Sequence, residues 1–106
     1  MTWNEWILNE TGYKTISTFW QDFTIADAFG VNAVKDTFKR AFAGWKSDYK
    51  MLTELVMVLN HKLGWHYEQG HKELALAYEA CWKEADAYAC DNLKGEELSY
   101  FYEVTD

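Results

Sequence analysis

DYKMLTELVMVLNHKLGWHYE, residues 48–68, decides the fold. Tyr49, Leu52, Val56, Leu59 and Leu63 recur at alternating steps of three and four, the seam spacing of packed helices rather than the two-residue alternation of a strand. The middle of the stretch, Leu55-Val56-Met57-Val58-Leu59, is apolar on every side. Alone it reads equally as a strand, but its length and the flanking period favour helix. An all-round apolar turn belongs to a central element touched from several directions. Ser47 or Asp48 suits the cap position ahead of it, and Gly70 breaks the chain behind it. Glu54, inside the apolar run, reads as a solvated or lysine-paired side chain.

Working outward, residues 71–93 form a second long helix, with Ala75, Tyr78, Trp82, Ala85 and Ala89 on one face. The small residues permit close approach to a neighbour. Glu73, Lys83, Glu84, Asp86 and Asp91 form the wet face. Gly95 stops this helix, and a short one from Glu96 carries Leu98, Phe101 and Tyr102, with Glu96 and Glu97 set against its dipole. Upstream, Val34, Phe38, Ala41, Phe42 and Trp45 make a buried stripe capped by Asn32 and closed at Gly44 or at Lys46-Ser47-Asp48. Ile16, Phe19, Trp20 and Phe23 mark one further helical face. Thr24 and Asp27 form an [ST]-x-x-[DE] pair that permits a break before Ile25, so residues 15–29 are one helix or two. Residues 2–9 make a turn or two, with Trp3, Trp6 and Ile7 on one side, ending at Gly12. The expected fold class is all-α: one domain over 1–106, a compact bundle of four to five helices whose trunk is an antiparallel pair, about 48–68 and 71–93.

Proline is absent and glycine numbers six, so the punctuation of all-β and disordered chains is missing. No apolar run approaches the ~18 residues of a membrane span, and no membrane partner is expected. MTWNEWILNE has no basic stretch ahead of an apolar one, which argues against a secretory signal and for a cytoplasmic location. The net charge of −7 lies in one half: residues 1–50 carry six acids and six bases, residues 51–106 eleven acids and four bases. That asymmetry favours a cationic or polar protein partner over nonspecific nucleic-acid binding. Cys81 and Cys90 sit nine residues apart in one helix, about 13 Å along its axis. That is too far for a bridge, so two reduced, partly buried thiols are expected.

Four kinds of site come into question. Ala26, Phe29, Gly30 and Val31 have the small, apolar, glycine and apolar order of a helix-turn-helix bend. The second helix of that motif buries the positions six and nine beyond its glycine, here Asp36 and Lys39, so this helix must be rotated relative to the motif. Were it to read DNA, Asn32, Lys35, Lys39, Arg40 and Lys46 would meet phosphates or base edges. His61, His66 and His71 are five apart rather than three or four, a spacing that does not set metal ligands on one helix face. His66 is expected at the end of the seam and the other two at its rim; no metal site and no cofactor follow. No Walker loop, GxSxG, HExxH or dinucleotide fingerprint occurs, so no enzyme and no small-molecule substrate are indicated. Aromatic residues make up 18% of the chain, a surplus suited to a recognition surface or a homodimer contact. Trp3, Trp6, Trp65, Tyr67, Tyr100 and Tyr102, near element ends, are the candidate protein-binding residues.

DFTIADAFGVNAVKDTFKRAFAGWKSDYKMLTELVMVLNHK (22–62) and LKGEELSYFYEVTD (93–106) carry a resemblance to small helical proteins of bacterial phages and conjugative elements that have no assigned activity. The resemblance implies a bacterial cytosolic setting and an accessory role toward a host protein, and no site residues. The function expected is a non-enzymatic acidic interaction module, with a DNA-binding regulator as the alternative.

Overall fold

The computed structural model describes residues 16–105. Among these residues five helices follow in order: α1 Ile16–Phe29, α2 Val31–Trp45, α3 Tyr49–Glu68, α4 Lys72–Asn92 and α5 Glu96–Thr105. They form an all-α bundle, and α3 packed along α4 is its trunk. Every residue from Leu52 through Leu59 is buried, as a central helix with contacts on all sides requires. Glu54 is buried with them, contrary to the solvated reading, because this turn has no wet side. On α4, Ala75, Ala77, Cys81, Ala85 and Ala89 are buried and keep its backbone close to α3, while Trp82 is half-buried. Removing a Leu, Val or Phe side chain of such a core from water contributes about 1.5–3 kcal/mol.

The joints follow from local chemistry. Asp48 caps α3, its carboxylate accepting from the N–H groups of Lys50 at 3.1 Å and Met51 at 3.2 Å. Asp48→Ala is therefore expected to lower stability by about 1 kcal/mol in urea denaturation, and Ser47→Ala to leave it unchanged. An equal loss from both would mean that the cap is not Asp48.

At the far end of α3, Gly70 has a φ of 77°. The His71 N–H donates to His66 O at 2.9 Å and the Gly70 N–H to Tyr67 O at 3.2 Å. This pair of bonds is a Schellman closure, which needs a left-handed residue, hence glycine. It turns the chain into α4 within three residues and sets His71 beside His66.

α1 and α2 meet at Gly30 alone, with φ 106°. Upstream, one open choice is closed and two expectations are corrected. α1 is continuous, because the Thr24 hydroxyl donates back to Trp20 O at 2.8 Å rather than capping a new helix. α2 begins at Val31 with Gly30 at its cap position, so Asn32 lies inside the first turn. Trp45, the last residue of α2, borders the open α1–α2 groove and is 42% exposed rather than buried. α2 does bury Val34, Thr37 and Phe38 and leaves Asp36 and Lys39 outside, the rotated face that the helix-turn-helix comparison required. Cys81 is buried and Cys90 exposed, and both are free thiols. Burial, with Glu84 nearby, pushes the Cys81 thiol up to about 11. The expected helix over 2–9, with Trp3 and Trp6, lies outside the described residues. Among the described residues no helix is long and apolar enough to cross a membrane.

Candidate functional site

Along α3 the core register runs Leu55, Leu59, Lys62, His66, so the last two turns of an apolar seam carry a lysine and a histidine inward. On α1, Asp27 follows Phe23 by four residues and so continues that helix's buried stripe. The three polar side chains meet where α1 crosses the end of the trunk. Lys62 Nζ donates to Asp27 Oδ2 at 2.6 Å, and the two side chains are 2% and 14% exposed. His66 Nε2 lies 2.9 Å from the same oxygen. The hydroxyl of Tyr78, from α4, donates to Asp27 Oδ1 at 2.5 Å. One carboxylate thus joins three helices, as burial of a charge demands.

The surroundings fix the protonation states. Burial pulls His66 below its ordinary value of 6.5, reinforced by Lys62 and His71 and opposed by Asp27. A neutral His66 that faces the Asp27 carboxylate carries its proton on Nε2. Its Nδ1 then accepts from His71 Nδ1, 3.0 Å away. Burial also pulls Lys62 down, against the hydrogen bond and charge of Asp27. The Tyr78 hydroxyl is raised far above its usual range, by burial first and Asp27 second. The Tyr78 ring stacks on His66 at 5.2 Å between centroids. The Lys62 ammonium lies 4.3 Å from the centre of the Trp20 ring, within cation–π range. Over this cluster opens a cavity of about 380 Å³ walled by Trp20, Ala28, Trp65 and Leu74, with His71 at its edge.

A second concavity lies on the other side of α1, in the groove between α1 and α2. It encloses about 670 Å³, and Phe19, Ile25, Phe29, Ala33, Ala41 and Trp45 line it together with Asp22, Asp36 and Arg40. Ile25 is 61% exposed and Phe29 79%.

The candidate aromatic residues divide between two places. Trp65 and Tyr67 are exposed at the end of α3, where the Tyr67 hydroxyl donates to Glu79 at 3.0 Å. Tyr100 packs edge-on against Tyr49 at 5.5 Å, and the exposed Tyr102 sits 3.7 Å from Cys90 Sγ. Tyr49 and Trp65 are sixteen helical residues apart, about 24 Å, so these four residues make two separate patches.

The basic candidates are also divided. Asn32, Lys35, Lys39, Arg40 and Lys46 are all exposed. Lys35 and Lys39 border Cys81 and Glu84 of α4, whereas Arg40 lines the α1–α2 groove. The Lys46 ammonium stands 5.8 Å from the ring centres of both Phe42 and Tyr88.

Asp27, Lys62 and Trp20 are not among the site residues expected from sequence, and Tyr78 is expected there only as core. The available signal was a lysine and a histidine in the seam register ahead of the terminating glycine. His66 does end the seam, as expected, but His71 reaches it across the turn. Among the described residues no group of three metal-ligating side chains forms. Comparison with family models, curated proteins and solved structures returned no match.

Proposed function

We propose that this protein is a non-enzymatic interaction module whose α1–α2 groove receives a cationic amphipathic helix of a protein partner. The exposure of Ile25 and Phe29 along one open groove supports this reading most directly. Large apolar side chains gathered in a concave surface mark binding sites, and a groove between two helices suits the apolar face of a third. Two acids, Asp22 and Asp36, stand against one base, Arg40, at the groove, and the chain as a whole carries −7. Both favour basic residues flanking the partner's apolar face. The resemblance to proteins of mobile elements makes a host protein the natural partner.

A duplex is less well served. Arg40 faces the α1–α2 groove, apart from Lys35 and Lys39 on the α4 side of α2, and Glu84 lies beside those two. The acidic second half repels phosphate as well.

Ile25→Ser with Phe29→Ser tests the groove, because both side chains are exposed and the fold does not depend on them. Affinity capture from host lysate, run with wild type and variant side by side, is expected to yield a partner whose affinity the variant lowers about 30-fold or more. Capture that survives the variant unchanged counts against the groove. Light scattering that shows a dimer dissolved by the same substitutions would make a second copy the occupant instead.

A further inference from the structure

The cavity over the Asp27 cluster lies on the opposite side of α1 from the groove, and its chemistry points elsewhere. Both oxygens of Asp27 are engaged, Oδ2 by Lys62 and His66 and Oδ1 by Tyr78. The Lys62 ammonium has three protons to give. One goes to Asp27 and one to Thr24 Oγ1 at 3.2 Å. The third meets no hydrogen-bond acceptor among the described residues, and the Trp20 ring lies 4.3 Å and the Trp65 ring 6.0 Å from the nitrogen. A buried ammonium flanked by two indoles selects a flat body that carries an acceptor, and a charged acceptor makes the stronger bond to a charged donor.

We infer that this cavity is a binding site for a small aromatic carboxylate, its ring set against Trp20 and Trp65 and one carboxylate oxygen on the third proton of Lys62. The volume of about 380 Å³ is at the size of the smaller ligand sites and holds one bicyclic ring system. This inference is independent of the groove, and either can fail while the other stands.

Indole-3-acetate and its neutral analogue indole-3-acetamide are suitable probes, titrated into the full chain and followed by nitrogen–proton correlation spectra and calorimetry. The acid is expected to bind with a dissociation constant of about 1 mM or tighter. The amide should bind about tenfold more weakly. Shift changes should centre on the Trp20 and Trp65 indole N–H groups and on Leu74. Trp65→Ala, at a side chain 45% exposed, leaves the fold intact and should weaken the acid about tenfold. Lys62→Met, where it folds, should remove the preference for acid over amide. The inference is overturned by an absence of shifts at about 10 mM acid, ten times the expected constant, by an amide that binds as tightly as the acid, or by a Trp65→Ala variant that binds the acid like wild type.

Discussion

Asp27→Ala is expected to destabilise the protein by about 3–5 kcal/mol, the range for breaking a buried ion pair from one side. The substitution takes the only acceptor described for the Lys62 ammonium apart from Thr24, and with it the partner of His66 Nε2 and the closer acceptor of the Tyr78 hydroxyl. Each is buried, so water does not replace what is lost. The double variant Asp27→Asn with Lys62→Met separates charge from shape. Asparagine still offers an acceptor to Tyr78 or His66, and methionine fills the lysine's volume without its charge. The pair should therefore cost less than the sum of its two single substitutions, by more than the ~0.5 kcal/mol within which independent sites add. Urea denaturation of the four proteins measures this directly, and simple additivity would show that Asp27 and Lys62 are not coupled.

The second large effect is acid sensitivity. In the unfolded chain His66 takes up a proton near its ordinary value of 6.5, whereas the folded protein holds it neutral to a lower pH. Below that value the unfolded state binds more protons, so stability rises with pH across the window and is lost as pH falls through it. The slope approaches ~1.4 kcal/mol per pH unit for one such proton. His61 is half-buried and likewise lowered by burial, and it adds a contribution of the same sign. Lys62 behaves in the same sense in the alkaline range beneath its ordinary value of 10.5. The groups facing His66 are Asp27, Lys62, His71 and Tyr78. His66→Gln, which keeps a donor for Asp27, should flatten the dependence between about pH 7 and 5. A wild-type stability that stays level or rises on acidification across that range would refute the neutral assignment.

The trunk was readable because Tyr49, Leu52, Val56, Leu59 and Leu63 impose a helical period that no strand satisfies, and Gly70 marks its end. The polar cluster was not, for reasons that lie in the residues themselves. Thr24 and Asp27 have the spacing of a capping pair, and nothing within α1 distinguishes a cap from the polar end of a buried stripe. Lys62 falls in the seam register, where a long side chain ordinarily bends its charge back to water. Here Asp27 arrives from a different helix and holds it inside. His66 and His71 stand five apart, and only the reversal at Gly70 brings their rings together. Trp45 shows the opposite error: its period is right, but the face it shares with α1 is an open groove rather than a closed seam. Of the aromatic candidates, Trp65 lines the cavity over Lys62, and its place near an element end was the visible clue.

The spans bridged by Asp27 bear on the order in which the molecule assembles. α3 reaches α4 across only Gln69-Gly70-His71, so the hairpin closes through near neighbours. Asp27 must instead find groups 35, 39 and 51 positions downstream. Contacts over short loops form early and those over long ones late. Loss of Asp27 should therefore scarcely slow refolding and should show itself as faster unfolding in stopped-flow traces. On this view the trunk governs how quickly the chain arrives at its native form, and one carboxylate on α1 governs its lifetime there.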